Sequence, residues 1–277
     1  MKIEKIINNN IVSAYDENNR EIVVMGRGLG FGRKLGDMID DIKIEKIFRM
    51  DNEAESERLQ SVLADIPLEH IQISNDIITY SKTVISKKLN KNIYITLTDH
   101  INFAIDRYKQ GLNFKNALLW EIKKFYSAEY EVGKKALEMI KETLGIELPD
   151  DEAASIAMHL VNAEFGTDMP NTIDITKLIQ NVLKIIKYYY QVELDEESIN
   201  YERFITHLKF FAQRIITHRP NSGTDEEFHN MIKSQYKTDY RCAEKIRKYI
   251  ENEFKMNVPE EELIYLTVHL RRITTAN

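Results

Sequence analysis

Residues 148–160, LPDDEAASIAMHL, and residues 258–270, VPEEELIYLTVHL, are two versions of one pattern. In both, a proline precedes three acidic residues, and a histidine, His159 or His269, follows that proline by ten positions. The apolar residues recur with the period of a helix. The sequence therefore predicts two related amphipathic helices, each carrying one histidine.

The repeat extends beyond these two helices. Residues 129–140, EYEVGKKALEMI, match residues 239–250, DYRCAEKIRKYI, at the same 110-residue offset that relates His159 to His269. A second match joins HINFAIDR, which begins at His100, to HLKFFAQR, which begins at His207. The chain is thus predicted to contain two copies of one helical module. Two copies are too few for a solenoid, so each should form a discrete bundle of about five helices.

Residues 1–49 have a different pattern. They contain four short, partly alternating segments, KIEKII, NIVSAY, EIVVM and KIEKIF, separated by Asn-rich and Gly-rich breaks. This spacing predicts a small antiparallel sheet of about four strands. Because so small a sheet buries little apolar surface, we expect a second copy of it in a homodimer. Residues 50–60 suit either a linker or the first exposed turns of a helix.

The predicted fold class is α+β and multidomain, with a small antiparallel β-sheet domain followed by two homologous all-α helical bundles. The expected domains are residues 1–55, 60–168 and 172–277, with a break at FGTDMPN, residues 165–171. A loop is predicted at residues 218–225. Helices are predicted at 74–89, 97–109, 114–126, 129–145, 150–164, 175–190, 196–216, 239–254 and 260–273.

Composition limits the function classes. No apolar run approaches about 18 residues and the start lacks an apolar signal core, so we expect a cytoplasmic protein with no membrane insertion. The single cysteine, Cys242, excludes an intramolecular disulfide framework and a thiolate-rich zinc site. The net charge of −6 does not favour nucleic-acid binding by the whole chain, so any such site must be a local patch.

The four repeat histidines share one local environment, with apolar residues at positions −3, +1 and +4. That stripe places each imidazole at the flank of the buried helix face. The apolar neighbours are Leu97, Ile101 and Ala104 for His100; Ile156, Leu160 and Ala163 for His159; Phe204, Leu208 and Phe211 for His207; and Leu266, Leu270 and Ile273 for His269.

Three interpretations of these histidines remain open from the residues alone. They are partly buried structural histidines, metal ligands, or phosphate acceptors. A metal site would need ligands from separate helices, because no histidine has a second ligand at i+4. A neutral imidazole, with an ordinary pKa near 6.5, is a competent nitrogen nucleophile. A phosphoryl group would add roughly −1.5 to −2 charges, to which Arg107 and Arg214, seven residues on, are possible responders.

Residues 21–36, EIVVMGRGLGFGRKLG, are rich in glycine. They do not form a P-loop, since Lys34 is followed by Leu35 and a strand-like segment. A dinucleotide-binding loop would need a βαβ unit that this small sheet cannot supply. The structural interpretation is a glycine-rich hairpin or bulge.

The functional interpretation of the same stretch is contact with RNA. Glycines let the backbone approach a ligand closely, Phe31 offers a stacking face, and Asn8 and Asn10 can hydrogen-bond base edges. The basic residues expected to contact phosphates are Arg27, Arg33 and Lys34.

Taken together, these segments resemble the BglG/SacY-type transcriptional antiterminators over essentially the whole chain. The segments that carry the resemblance are MKIEKIINNN, VVMGRGLGFG, KIEKIF, TDHINFAIDR, the His159 helix, THLKFFAQR and LTVHLRR. The resemblance implies that residues 1–55 form a co-antiterminator RNA-binding domain, which dimerises and binds a leader-RNA hairpin overlapping a terminator. The RNA-binding residues implied are Lys5, Asn8, Asn10, Gly26, Arg27, Gly28 and Phe31.

The resemblance also implies that both helical modules are regulatory domains of the sugar phosphotransferase system. Their phosphorylation sites would be His100 and His159 in the first module and His207 and His269 in the second. In that family a sugar-specific permease (enzyme II) phosphorylates the first module and inactivates the protein when its sugar is absent. The phosphocarrier HPr phosphorylates the second module and activates it. The implied operon serves β-glucoside use, and no metal, cofactor or catalytic residue is implied.

Two other functions compete with an antiterminator. The chain could be a histidine phosphotransfer protein, which would pass phosphate onward to a third protein. It could also be a DNA-binding activator with the same regulatory modules. The second alternative requires a helix-turn-helix, which the strand-rich N-terminus does not favour.

Overall fold

The computed structural model describes residues 1–112, 114–219 and 226–274, and the chain divides into two compact units, Met1–Gly166 and Thr167–Asn277. The first unit contains the N-terminal sheet and the first helical module. The second unit contains the second module. This arrangement confirms the predicted α+β fold class, a small antiparallel sheet followed by helical bundles.

The N-terminal sheet has four antiparallel strands in the order β1-β2-β3-β4. They are β1 Lys5–Asn8, β2 Ile11–Tyr15, β3 Glu21–Met25 and β4 Lys46–Phe48. The register between β2 and β3 runs without a break from Ile11 opposite Met25 to Tyr15 opposite Glu21. The strands match the four predicted segments, because alternating β-branched residues bounded by Asn and Gly breaks are typical of short strands.

Both faces of the sheet are covered within the chain. One face is covered by the segment between β3 and β4, whose Leu29 and Ile39 pack with Val12 and Val24 of the sheet in one core. The other face packs against helix α1, Glu53–Asp65, whose Leu59 and Leu63 are fully buried. Of the two interpretations of residues 50–60, the helix is the one observed. Helix α1 thus supplies apolar cover that we expected from a second copy of the sheet.

The first helical module has five helices after α1. They are α2 Leu68–Val84, α3 Ile93–Lys109, α4 Leu119–Phe125, α5 Ser127–Leu144 and α6 Asp150–Phe165. Their core is built from Ile and Leu side chains of α2, α3, α5 and α6. Helix α6 ends at Gly166, which adopts a left-handed conformation with φ of 61° and caps the helix where the sequence predicted a break.

The second module repeats the five-helix pattern within the described residues. Its helices are α7 Met169–Tyr190, α8 Ile199–Ile216, α9 Glu226–Gln235, α10 Lys237–Glu253 and α11 Glu260–Thr274. Helix α9 was not predicted from the sequence; it is ten residues long and Ile232 is its only buried residue. Of the loop predicted at 218–225, residues 220–225 lie outside the described residues.

No helix among the described residues is both long enough and apolar enough to cross a membrane.

Candidate functional site

The two histidines of the first module lie side by side. His100 is on α3 and His159 is on α6, and their ring centroids are 4.6 Å apart with the planes inclined by 37°. Both side chains are partly buried, as the apolar stripes at positions −3, +1 and +4 predict. A pattern read separately on two helices therefore corresponds to one paired site.

The second module contains the equivalent pair. His207 on α8 and His269 on α11 stack with ring centroids 3.9 Å apart and planes inclined by 30°. Both are again partly buried. The structure thus brings the four predicted histidines together as two pairs, one within each module.

An arginine–glutamate ion pair adjoins each histidine pair. In the second module, Arg214 Nε and Nη2 donate to the two carboxylate oxygens of Glu262, each at 2.7 Å. In the first module, Arg107 Nη2 donates to Glu152, and the other oxygen of Glu152 lies 3.3 Å from His100 Nε2. The predicted arginines are therefore held by carboxylates, beside the histidines.

Sequence reasoning assigned no role to these glutamates. Glu152 and Glu262 are each the last of the three acids after the proline, and each precedes its module's second histidine by seven residues. Seven residues are about two helical turns, so glutamate and histidine share one helix face. That spacing, repeated in both modules, was the signal available in the sequence.

The environment of three paired histidines, His159, His207 and His269, favours their uncharged form. Burial, followed by the neighbouring His100, lowers the pKa of His159 to about 3. Burial, followed by His207 and Arg272, lowers the pKa of His269 to about 4. The pKa of His207 is also lowered, by burial and then by the positive charges of Arg272 and Arg214. These three imidazoles are therefore neutral near pH 7, the form that has a nucleophilic nitrogen lone pair.

The second open interpretation was a metal site. Among the residues that the structure describes, no group of three or more His, Cys, Asp and Glu side chains is arranged to hold a metal ion. The arrangement at each pair is instead two stacked or tilted imidazoles beside one ion pair.

At the N-terminal sheet, the glycine-rich stretch packs against the β1–β2 turn. The amide of Gly26 donates to the carbonyl of Asn10, and the amide of Gly28 donates to Asn10 Oδ1, both at 2.9 Å. Gly28 has a φ of 69°, a backbone conformation that favours glycine. At Gly26 a Cβ atom would lie 1.8 Å from the carbonyl oxygen of Lys43, so no side chain fits. Both glycines thus have a structural reason to be glycine.

The predicted RNA-binding residues fall into two groups. Lys5, Arg27 and Phe31 are exposed, with the Arg27 side chain 75% exposed and Phe31 72% exposed. Asn8 and Asn10 are partly buried and bonded internally. The Asn8 amide donates to the carbonyls of Leu63 and Ala64 at 3.1 and 3.2 Å, near the end of α1.

Comparison with known proteins agrees with this architecture. The CAT RNA binding domain model matches residues 1–57, and the PRD domain model matches residues 75–163 and 180–273. The chain belongs to the family of transcription antiterminators that join a CAT RNA binding domain to two PRD domains, so the resemblance inferred from the sequence is confirmed.

The individual relatives are similar along their whole length. The transcription antiterminator LicT of Bacillus subtilis is 49% identical over 99% of both chains. The β-glucoside operon antiterminator of Dickeya chrysanthemi is 44% identical over 99% of this chain and 96% of its own. Among solved structures, the CAT-PRDI part of GlcT is 37% identical, covers 59% of this chain and 97% of its own, and has a TM-score of 0.52.

Proposed function

We propose that this protein is a cytoplasmic antiterminator that binds a leader-RNA hairpin as a homodimer. The bound hairpin excludes an overlapping terminator, so polymerase reads into a sugar-utilisation operon. The match of residues 1–57 to a CAT RNA binding domain supports RNA as the ligand. The name of the Dickeya chrysanthemi relative supports β-glucosides as the sugar. In this proposal residues 1–55 form the RNA-binding domain, and residues 60–168 and 172–277 form the two regulatory domains.

The observation that carries the RNA site is the exposure of Arg27 and Phe31 on a stretch held in place by its own backbone. A guanidinium contacts phosphate, and an exposed aromatic ring stacks on an unpaired base. Lys5 adds a second cation, and Gly28 leaves the backbone open to close approach, since nothing lies within 4 Å of where a Cβ would be. Asn8 and Asn10 support the site indirectly. The Asn8 side chain hydrogen-bonds the backbone of α1, and the Asn10 side chain accepts from the amide of Gly28.

Filter binding to a terminator-overlapping RNA hairpin tests this site. We expect Arg27→Ala and Phe31→Ala each to weaken binding by at least about tenfold, the loss of one stacking or charged contact. Arg20→Ala is the matched control, since that side chain is 73% exposed but lies in the turn at the opposite end of β2 and β3. Unchanged binding in both test variants would refute the RNA-site assignment.

We propose further that phosphorylation of the histidine pairs controls the dimer. HPr phosphorylates His207 and His269 and activates the protein, whereas the sugar permease phosphorylates His100 and His159 and inhibits it. The neutral, partly buried imidazoles of His159, His207 and His269 support this role, because a nitrogen lone pair is present at cytoplasmic pH. Moving a dimer equilibrium from 1:99 to 99:1 takes about 5.5 kcal/mol, which new charges on two symmetric chains can supply. The protein accepts phosphate and need not catalyse a reaction.

Mass spectrometry after incubation with phosphorylated HPr tests the activation scheme. We expect phosphate on His207 or His269. The three remaining histidines, His70, His218 and His229, serve as internal controls in the same spectrum. Failure of both second-module histidines to gain phosphate would end the scheme. Onward transfer to a third protein would instead favour the phosphotransfer alternative.

A further inference from the structure

The first histidine of each module meets a different partner, although the modules are copies. In the first module, His100 Nε2 is buried and lies 3.3 Å from Glu152 Oε2. Neither atom has a well-aligned hydrogen-bond partner among the described residues. At 3.3 Å, the two atoms are therefore positioned to serve as donor and acceptor for each other. Burial opposes ionisation of Glu152, but the neighbouring His100 and Arg107 side chains outweigh that effect and lower the pKa of the carboxyl group. An ionised carboxylate requires a donor, which places the imidazole proton on Nε2.

In the second module, the other ring nitrogen is occupied. His207 Nδ1 lies 2.8 Å from the hydroxyl of Tyr265, and that hydroxyl also lies 3.3 Å from the backbone carbonyl of His207. A hydroxyl has one proton to donate. The Tyr265 hydroxyl donates its proton to the carbonyl of His207, so it accepts from the N–H at Nδ1. In this arrangement the carbonyl, the hydroxyl and Nδ1 each take part in a hydrogen bond. The imidazole proton is then on Nδ1, and Nε2 has the lone pair.

One sequence difference and one difference in ion pairing between the copies produce this contrast. The position of Tyr265 is occupied by Ser155 in the first module, and that hydroxyl accepts from Asn116 and donates to the carbonyl of Asp151. The counterpart of Glu152 is Glu262, and both of its oxygens accept from Arg214. The tyrosine therefore replaces the glutamate as the group that contacts the first histidine, at the opposite nitrogen.

We propose that the two modules present opposite ring nitrogens of their first histidines to a phosphodonor, Nδ1 of His100 and Nε2 of His207. Glu152 and Tyr265 are the positioning residues that make this choice. The inference deepens the proposed phosphorylation and depends on it, but the tautomers exist in the unphosphorylated protein. Because the attacking nitrogen differs, the two modules offer phosphate acceptors of different geometry. That difference would let two donor proteins each recognise one module.

The transfer step balances with a phosphohistidine or phosphocysteine donor protein. The free ring nitrogen forms the new P–N bond with its lone pair while the donor's P–N or P–S bond breaks. The electron pair of that bond leaves with the donor nitrogen or sulfur. The proton on the other ring nitrogen remains, so the phosphorylated ring is an imidazolium. In the first module Glu152 accepts from that N–H, and in the second Tyr265 does.

Long-range proton–nitrogen NMR of the full-length, ¹⁵N-histidine-labelled protein measures the tautomers without any phosphorylation. We expect Nε2–H at His100 and Nδ1–H at His207, with each ring assigned by loss of its signals in His100→Gln and His207→Gln. The same tautomer at both residues, or the reverse assignment, would overturn the inference. Neither result depends on whether a donor protein acts on the chain.

Two substitutions test the positioning residues. Tyr265→Phe keeps the ring and removes the hydroxyl, and we expect the tautomer ratio at His207 to shift by about fivefold to tenfold, as for removal of one hydrogen bond. Tyr240→Phe is the matched control, because its hydroxyl bonds Glu260 in the same module. Glu152→Gln should likewise release the tautomer at His100 and leave His207 unchanged. An unchanged ratio in both test variants would refute the positioning role.

The phosphorylated protein supplies a separate result. Phosphorus NMR should show Nδ1-phosphohistidine at His100 and Nε2-phosphohistidine at His207, and the isomers should mix at His207 in Tyr265→Phe. Identical isomers in both modules would overturn the inference and leave phosphorylation standing. Absence of phosphate with opposite tautomers present would refute the proposed phosphorylation and leave the positioning of the two rings intact.

Discussion

At the scale of single residues, the histidine pairs combine a predictable feature with an unpredictable one. The apolar residues around each histidine fix its place at the rim of a helix face, which local sequence determines. The ion pairs beside the histidines instead join residues of two helices that are about 50 positions apart in the sequence. Glu152 pairs with Arg107, and Glu262 pairs with Arg214. Those contacts follow from helix packing, which no periodicity within one helix specifies.

Burial of His159 predicts a loss of stability in acid. Its pKa is about 3 in the folded chain against 6.5 ordinarily, so between these values the unfolded chain binds a proton that the folded chain does not. Stability is therefore full above pH 6.5 and falls as pH decreases, by up to about 1.4 kcal/mol per pH unit for one group. Urea denaturation between pH 8 and pH 4 should show a shallower decline for His159→Gln than for the native chain. Parallel profiles would contradict this.

The buried ion pair of the second module predicts strong coupling. Glu262 is fully buried, so Arg214→Ala removes the cation that bonds both oxygens of a buried carboxylate and should cost about 3–5 kcal/mol of unfolding free energy. The double variant Arg214→Leu with Glu262→Leu should recover most of that loss, since apolar replacement of a buried pair is often neutral. Arg203→Ala, at an exposed position of the same helix, should change stability by less than about 0.5 kcal/mol. A double variant no more stable than Arg214→Ala would contradict this coupling.

At the scale of elements, six helices were predicted closely, whereas α2 and α7 each begin about six residues before the predicted start. Helices α3, α5, α6, α8, α10 and α11 lie within a few residues of their predicted ranges. Helix α4 is shorter than the predicted 114–126, because Phe114 lies outside the helix and its ring stacks on Arg107 with a centroid distance of 4.8 Å. Phe114 packs on the Arg107 guanidinium and not in the helix, and its apolar character made the predicted helix too long at its start. The sequence did not predict helix α9, which is only ten residues long and buries one of them, Ile232.

The contact between α5 and α6 depends on one glycine. A Cβ at Gly133 would lie 2.2 Å from the carbonyl oxygen of Ala153, and backbone atoms cannot move aside as a flexible side chain can. We expect Gly133→Ala to destabilise the protein by about 1–3 kcal/mol through overpacking, despite a helix-propensity gain of about 1 kcal/mol.

Thermal denaturation of two variants tests that contact. Lys134→Ala, at the adjacent exposed position, is the control and should change little. The equivalent residue in the second module is Ala243, so the two copies differ in how closely these helices approach. Equal stability of Gly133→Ala and Lys134→Ala would show that α5 and α6 separate without cost.

At the scale of the whole chain, the repeat is the feature that sequence predicted best. Internal matches at 107 to 110 residues located two five-helix modules before any contact was known, because duplicated helices keep their apolar stripes. The close packing of α1 on the sheet was not predicted, since residues 50–60 show few apolar residues and the buried Leu63 lies beyond them. Each compact unit has its own buried core, as expected of modules that can fold separately.

That organisation predicts that residues 167–277 fold without the rest of the chain. A matched fragment of residues 180–277, which begins where the second PRD match begins, should fail to fold. It lacks Ile175, Leu178 and Ile179 of α7, all fully buried, and each buried side chain contributes about 1.5–3 kcal/mol. Their sum is comparable with the total stability of a small domain, about 5–15 kcal/mol. Urea titration followed by circular dichroism should give a cooperative transition for the longer fragment only. Cooperative unfolding of both fragments would show that the first half of α7 is dispensable to the second core.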